Sequence, residues 1–248
     1  VNCPNLENLY LNGNNLTTLD LSAFPKLRNV YCAENLLTSL NVSKNGNIEV
    51  LHCSSNRLTT LDVGHMTNLE TLVCDYNELT SLSAPNLKKL TTLTCFNNKI
   101  TNFTIAGSTN INTLNCQNNQ LTTLDVSGFT KLSTLTCENN QLTSLKLTGC
   151  TELYSLTCDQ NKLTTLDVSG LAKLSFLTCY TNQLTNLNLQ GCIRLETLMC
   201  NNNSLTTLDI SSCPLLEEIT AVNCPFDADT LAKLQAWGEQ EGHKLYLD

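Results

Sequence analysis

The chain repeats itself every 21 residues, and this period constrains its fold more than any other feature of the sequence. Nine cysteines recur at that interval without an insertion or deletion: Cys32, Cys53, Cys74, Cys95, Cys116, Cys137, Cys158, Cys179 and Cys200. Fixed repeats of about 20 to 50 residues are typical of solenoids, in which each repeat forms one coil that buries its apolar side against its neighbours. The period therefore predicts one stack of coils over residues 1–226, although a length of 248 residues alone suggests one large or two small globular domains.

Two kinds of spacing within each repeat predict two kinds of backbone. Leu51 and Cys53 alternate with His52, which is the period-2 pattern of a short strand. Each coil is thus expected to add one strand to a parallel sheet. Leu58 and Leu61 follow at a spacing that fits neither a long helix nor a long strand, so we predict an irregular, extended or 3₁₀ return segment.

An asparagine stands three residues after each of these cysteines. The series is Asn35, Asn56, Asn77, Asn98, Asn119, Asn140, Asn161, Asn182 and Asn203, with Asn14 in the equivalent place of the first coil. A side-chain amide offers donors and an acceptor, so it can satisfy the backbone groups left open where each strand bends away. We therefore interpret these asparagines as structural, and we expect the hydroxyls of Thr59, Thr122 and Thr164 to serve the return segment.

The full repeat reads L-x-x-L-x-C-x-x-N-x-L-T-x-L-x-V, as in LSTLTCENN at residues 132–140. It resembles the leucine-rich repeat, L-x-x-L-x-L-x-x-N-x-L, over roughly residues 3–226, and it differs mainly by placing Cys where Leu is usual. The short repeat is most similar to the internalin-like surface repeats of bacteria. The resemblance implies an α/β solenoid: a right-handed stack of about ten to eleven coils with the parallel sheet on its concave face.

The sequence changes character after Phe226. The new signals are an N-cap at Asp227, an apolar stripe at Leu231, Leu234 and Trp237, and a helix stop at Gly238. Residues 227–248 are therefore expected to form a capping helix, followed by a last strand around Leu245 and Leu247. Because Val1 falls in the middle of a repeat, the first coil is expected either to lack a cap or to follow further residues.

Fourteen cysteines raise the alternative of a disulfide framework. Adjacent coils of a parallel stack place equivalent Cβ atoms about 4.8 Å apart, slightly beyond the ~3.5–4.5 Å that a disulfide needs. We therefore predict free, buried thiols that act as small apolar groups. A second column holds Cys3, Cys150, Cys192 and Cys213, of which Cys192 and Cys213 would be the pair under the alternative. The grouped spacing of a zinc site does not occur, so no metal or other cofactor is expected.

Charge and histidine content exclude several function classes. The net charge of −8 and a pI near 4.8 argue against nucleic acid, which requires clustered Lys and Arg. No stretch approaches the ~18 apolar residues of a membrane span, and three histidines suggest no Ser-His-acid set. We expect a chain that is not an enzyme. A secreted or cell-surface bacterial protein is expected from the resemblance, whereas free thiols favour the cytoplasmic alternative.

The outward positions of the predicted strands supply the candidate binding residues. Two patches of larger side chains flank a run of threonines: the first patch is Tyr10, Tyr31, His52, Tyr76 and Phe96, and the second patch is Phe176, Tyr180 and Met199. Asp75, Glu138 and Asp159 are expected beside them as exposed acidic groups, with a weak ion pair between His52 and Asp75 as one option. Aromatic side chains suit a protein partner or a stacked sugar ring, so we predict a protein or glycan ligand. Two alternatives stay open: a passive spacer of a larger surface protein, and the recognition part of an enzyme.

Overall fold

The structure is a computed structural model that describes residues 3–247. The chain divides into two compact units, which adjoin in sequence at Leu121 and Thr122. In both units the 21-residue repeats form coils that each contribute a strand to a parallel sheet. The predicted parallel-strand solenoid is therefore confirmed.

The first unit contains ten short strands. They are β1 (Asn8–Tyr10), β2 (Thr18–Asp20), β3 (Asn29–Tyr31), β4 (Ser39–Asn41), β5 (Val50–His52), β6 (Thr71–Val73), β7 (Ser81–Ser83), β8 (Thr92–Thr94), β9 (Asn102–Thr104) and β10 (Thr113–Asn115). The main sheet of this unit runs β1-β3-β5-β6-β8-β10, all parallel. Each residue pairs with its equivalent one repeat later, as Leu51 does with Leu72, so side chains at one repeat position form a column.

The second unit contains the remaining strands and the helix. They are β11 (Thr123–Asp125), β12 (Thr134–Thr136), β13 (Ser144–Lys146), β14 (Ser155–Thr157), β15 (Thr165–Asp167), β16 (Phe176–Thr178), β17 (Asn186–Asn188), β18 (Thr197–Met199), β19 (Glu218–Thr220), α1 (Ala228–Gly238) and β20 (Lys244–Tyr246). Its main sheet runs β12-β14-β16-β18-β19-β20. In both units the return segments are extended and pair in twos, β2 with β4, β7 with β9, β11 with β13 and β15 with β17. Of the three return conformations expected, the extended one is thus observed.

The inward side chain of every main-sheet strand from β3 to β19 is buried, and so are the nine cysteines of the 21-residue series. Leu51, Cys53, Leu72 and Cys74 have no exposed surface. Burying a leucine contributes about 2 kcal/mol, and in this arrangement the apolar surface of one coil is covered by the coils above and below it.

The asparagine series closes each coil against the one before it. The amide nitrogen of Asn77 donates to the carbonyl oxygens of Cys53 at 3.1 Å, Cys74 at 3.2 Å and Asp75 at 3.2 Å, and its oxygen accepts from the Leu58 N–H at 2.9 Å. Asn161 makes the equivalent four bonds in the second unit. The predicted structural role of the asparagines is confirmed. The hydroxyl of Thr143 likewise donates to the Thr122 carbonyl oxygen.

All fourteen cysteines are free thiols, and all but Cys3 and Cys224 are buried. In the second column, the thiol of Cys192 donates to the Val168 carbonyl oxygen at 3.2 Å, so it satisfies a backbone group of the preceding coil. Cys224 occupies an asparagine position of the last repeat, and its thiol donates to the Cys200 carbonyl oxygen at 3.3 Å. These thiols therefore act both as apolar filler and as weak donors.

The helix α1 begins and ends where the sequence signals place it. The side chain of Asp227 accepts from the Thr230 N–H at 2.7 Å, an N-cap bond. Leu234 is buried, whereas Leu231 is 36% exposed, so the apolar stripe is only partly covered. β20 extends the sheet beside β19. The division into a solenoid of 1–226 and a cap of 227–248 stays a prediction, and its outer limits lie outside the described residues.

Candidate functional site

A row of rings crosses the first three strands of the main sheet in the first unit. Tyr10, Tyr31 and His52 are register partners on β1, β3 and β5. The two tyrosine rings stack with centroids 5.0 Å apart and an interplanar angle of 6°, and the His52 ring meets Tyr31 edge-on at 6.1 Å. Tyr10 is 69% exposed. Stacking hides one face of each tyrosine ring from solvent, and the rest of the Tyr10 side chain stays largely exposed.

A second ring contact in this unit follows the ends of the strands. Tyr76 packs edge-to-face against Phe96 with centroids 5.0 Å apart, and Tyr76 is 55% exposed. The structure therefore resolves the first patch into two ring clusters within one unit, Tyr10–Tyr31–His52 and Tyr76–Phe96.

Asp75 lies buried beneath this cluster, contrary to the exposed position expected from the sequence. One carboxylate oxygen accepts from the Phe96 N–H at 3.0 Å and the other from the Thr94 hydroxyl at 2.8 Å. The side chain thus joins its own coil to the next one and is only 5% exposed. Burial raises the pKa of the Asp75 carboxyl to about 6, although both hydrogen bonds lower it.

The ion pair suggested between His52 and Asp75 is not formed. The imidazole Nε2 of His52 lies 2.9 Å from the Ser54 hydroxyl, while Asp75 is engaged by the next coil. Burial lowers the pKa of His52, and Glu34 opposes that shift. His52 is therefore a half-buried member of the ring row.

The second patch contains one aromatic residue that the sequence reasoning missed. Phe176 on β16 packs edge-to-face against Tyr154 with centroids 5.4 Å apart, and the two side chains are 37% and 47% exposed. Tyr154 precedes β14 by one residue, so it lies outside the outward positions of the strands. Reading down its own column would have found it, because the residues one repeat either side are serines, Ser133 and Ser175.

The other members of the second patch share the same strands. Met199 pairs in register with Thr178 on β16, and Tyr180 follows β16 by two residues. Both side chains are half-buried. The patch therefore lies on β14, β16, β18 and the residues beside them.

Asp159 repeats in the second unit the arrangement of Asp75. Its oxygens accept from the Tyr180 N–H at 2.9 Å and from the Thr178 hydroxyl at 2.9 Å. It is 3% exposed, and burial raises the pKa of its carboxyl to about 6. The same geometry, an aspartate with a threonine 19 residues later and an aromatic residue 21 residues later, thus supports an aromatic residue in each unit.

Glu138 precedes Asp159 in this column but does not form these bonds. The side chain is half-buried, and no hydrogen-bond donor among the described residues reaches its Oε2 atom, which is shielded from solvent. Burial raises the pKa of Glu138, and its charge contributes to raising that of Asp159. Of the three acidic residues expected at the surface, Glu138 alone keeps a carboxylate oxygen unengaged.

Within the described chain, no group of three or more His, Cys, Asp or Glu side chains could hold a metal ion. A cavity of about 420 Å³ lies beside α1, lined by Leu208, Leu234, Trp237, Lys233 and His243 among others. The described residues also include no helix long and apolar enough to cross a lipid bilayer.

Comparisons with known proteins agree with the repeat. The leucine-rich-repeat family models match residues 5–27, 67–107 and 204–227, and no curated protein gives a significant match. The functional domain of InlJ from Listeria monocytogenes, described as including a cysteine ladder, is 31% identical over 95% of this chain and 52% of that chain, with a TM-score of 0.82. This chain therefore spans about half the length of the InlJ chain.

Two other solved structures share the fold. The internalin InlF from Listeria monocytogenes is 20% identical, covers 98% of this chain and 81% of that chain, and gives a TM-score of 0.68. The octameric complex of Latrophilin 3, Unc5D and the leucine-rich-repeat part of FLRT2 contains a match of 20% identity, 98% and 83% coverage and TM-score 0.73. The 21-residue coils, the asparagine and cysteine ladders, the leucine-rich-repeat matches and the similarity to InlJ together make this chain an internalin-like leucine-rich-repeat protein.

Proposed function

We propose that the chain is a non-catalytic binding module that recognises a protein through the outward side of its main strands, the strand face. The observation that carries this proposal is the clustering of partly exposed rings there, in pairs that span neighbouring coils: Tyr10 with Tyr31, Tyr76 with Phe96, and Tyr154 with Phe176. Grouped aromatic residues dominate the energetics of protein interfaces. A passive spacer has no need of such groups.

A protein partner is proposed rather than a glycan because the rings occur as paired groups on neighbouring coils, as aromatic groups do in protein interfaces. The complex of FLRT2 with Latrophilin 3 and Unc5D is an example of this fold in a protein assembly. Similarity to InlJ supports a secreted or surface-attached bacterial protein, and this location is part of the proposal.

The proposed contact residues are the two patches together with Tyr154 and Glu138. Asp75 and Asp159 support them from below, since their carboxylates hold the backbone of Phe96 and Tyr180. They are not expected to contact the partner directly.

The test compares capture of proteins from bacterial and animal cell extracts by the immobilised chain and its variants. Tyr76→Asn with Tyr10→Thr, and Phe176→Thr with Tyr180→Gln, should abolish capture of the specific partner, because each pair removes aromatic contacts from one patch. Both pairs should still fold, because each substitution introduces a residue type that other coils already carry at the same position. Asn186→Ala with Thr165→Ala, on the return segments, is the matched control and should leave capture intact. Equal capture by all variants, or binding to a glycan array in place of any protein, contradicts the proposal.

A further inference from the structure

Two cysteines meet at the end of the 21-residue cysteine series, where the last repeat departs from the pattern. Ala221 stands in the cysteine position of this repeat, and Cys224 stands where the other coils carry asparagine. The Cys224 thiol donates to the Cys200 carbonyl oxygen at 3.3 Å. The Cys200 thiol is in turn hydrogen-bonded to the Cys224 thiol. The two sulfur atoms are therefore in contact.

The two thiols differ in their access to solvent. Cys200 has no exposed surface, whereas Cys224 is one of the two cysteines that are not buried. The hydrogen bond with Cys224 and burial raise the pKa of the Cys200 thiol well above its usual value, so little thiolate forms at Cys200 near neutral pH. An oxidant from solvent therefore reacts first at Cys224, and Cys200 follows from inside the protein.

A covalent bond between the two sulfur atoms leaves the backbone paired. The Cys200 carbonyl oxygen also accepts from the side-chain nitrogen of Asn203 at 2.9 Å, so it keeps a partner when the Cys224 thiol turns away from it. A disulfide requires sulfur atoms about 2.05 Å apart, and two thiols already in contact reach this distance by a rotation of their side chains. The reduced pair is thus poised for oxidation without rearrangement of the coils.

We propose that Cys200 and Cys224 are a modification site, at which hydrogen peroxide forms a reversible disulfide that fastens the last coil to the one before it. The Cys224 sulfur first attacks a peroxide oxygen, the O–O bond breaks, and the leaving hydroxide takes the thiol proton to form water, which leaves a sulfenic acid. The Cys200 sulfur then attacks the sulfenic sulfur, and the hydroxyl group leaves with the Cys200 proton as a second water. Two thiols are oxidised and one peroxide is reduced. The site does not depend on the proposed binding function.

The test treats the folded, reduced chain with hydrogen peroxide near neutral pH and maps its cysteines by mass spectrometry. Cys3→Ser is present in every sample, so that Cys224 is the only cysteine that is not buried. We expect one linked pair of peptides, containing Cys200 and Cys224, that dithiothreitol separates. The linked chain should melt roughly 5 °C or more above the reduced chain, because the link restricts the unfolded state.

Two variants separate the roles of the two thiols. Cys200→Ala retains Cys224, so the sulfenic acid should accumulate, react with dimedone and give no linked peptides. Cys224→Asn introduces the residue that the other coils carry at this position, so the variant should fold and lose both the sulfenic acid and the link. Cys179→Ala is the matched control, because Cys179 is the preceding buried cysteine of the series, and this variant should form the link as the parent does.

Several results would overturn the site. They are a link from Cys224 to Cys179 in place of Cys200, oxidation of Cys224 to sulfinic acid without a link in the parent, and a Cys224 that stays reduced at peroxide concentrations that oxidise free cysteine. A link that forms only in urea also overturns it, because the thiols would then not meet in the folded chain. A link with an unchanged melting temperature would show that the disulfide forms but does not fasten the last coil.

Discussion

At the scale of single residues, one backbone position of the repeat is under strain that the sequence partly relieves. The second residue after each of the nine cysteines of the 21-residue series, and Asn223 in the equivalent place after Ala221, has a positive φ between 50° and 56°. In this left-handed region a Cβ atom crowds the following carbonyl, and asparagine tolerates it better than most residues. Five coils place asparagine here, Asn97, Asn118, Asn139, Asn202 and Asn223. Thr181, with a φ of 52°, is the one β-branched residue in this series.

Replacing Thr181 by asparagine should raise the free energy of unfolding by about 1 kcal/mol, because strain of this kind costs about 1–3 kcal/mol. The backbone bond from Thr181 N–H to the Asn201 carbonyl is unaffected by the change. Urea unfolding followed by circular dichroism measures the difference. The reverse change, Asn97→Thr, should lower the free energy by a similar amount, and a destabilised Thr181→Asn variant would contradict the assignment of strain.

The buried aspartates give the chain an unusual dependence on pH. Asp75 and Asp159 have pKa values raised to about 6 by burial, whereas an unfolded aspartate titrates near 3.9. Between about pH 4 and pH 6 the folded chain holds more protons than the unfolded chain, so the free energy of unfolding falls as pH rises through this window. Acidification from pH 7 to pH 5 should therefore stabilise the protein by about 1 kcal/mol per aspartate.

Thermal or urea unfolding at pH 7, 6 and 5 tests this. The Asp75→Asn and Asp159→Asn variants should each lose their share of the gain, because asparagine does not titrate. Control variants at exposed, lysine-paired carboxylates such as Glu78→Gln should retain the gain, since the pKa of Glu78 is lowered and its contribution changes only at more acidic pH. Stability that falls steadily from pH 7 to pH 5 would show that these two carboxyls do not titrate near 6.

At the scale of the coil, the side chain of the repeated asparagine makes hydrogen bonds that backbone groups make with each other in a regular sheet. Asn161 joins three carbonyl oxygens, those of Cys137, Cys158 and Asp159, to the N–H of Leu142. It therefore bridges the bend of its own coil and the coil before it. Buried backbone groups must be paired, and the asparagine supplies most of the partners at this bend; the Asp159 carbonyl also accepts from the Asn139 N–H.

Asn161→Ala should lower the free energy of unfolding by about 3 kcal/mol, because four backbone partners lose a bond and each one left without another partner costs about 1–3 kcal/mol. Asn186→Ala, an exposed asparagine on β17, should change it by no more than about 0.5 kcal/mol. Urea unfolding compares the two. A small effect at Asn161 would mean that water or a rearranged bend replaces the amide.

The coil is also the scale at which sequence reasoning succeeds and fails. The strands, the asparagine role and the N-cap at Asp227 could be predicted, because each follows from local chemistry repeated at a fixed spacing. The burial of Asp75 and Asp159 could not be predicted from the alternation of apolar and polar residues along a strand. It depends on a threonine hydroxyl and a backbone N–H of the next coil. Tyr154 was missed because only strand positions were taken as outward, and Tyr154 lies one residue before β14.

At the scale of the whole molecule, fourteen thiols raise the question of why they do not react. Burial raises the pKa of Cys32 to about 12 and also raises the pKa of Cys53 well above its usual value, so the thiolate that attacks disulfides and alkylating reagents is almost absent near neutral pH. The leucines around them also exclude solvent. Reactivity of the interior thiols is therefore governed by opening of the coils.

A thiol titration of the whole chain tests both statements. With a chromogenic disulfide reagent at pH 8, the native protein should react first at Cys3 and Cys224, the two thiols that are not buried, while the others react only as fast as the coils open. In denaturant all fourteen should react at once. A shortfall of two would indicate a disulfide, and Cys192→Ala would show whether it is the Cys192–Cys213 pair, by raising the count of reactive thiols from twelve to thirteen.

The dependence of the slow reaction on urea tests whether opening of the coils controls it. Raising the urea concentration below the unfolding transition should speed the reaction of the buried thiols in proportion to the loss of stability, because opening then sets the rate. Slow-class rates that ignore urea would mean that the interior thiols are reached through local motions, and the coils would not protect them as a cooperative stack.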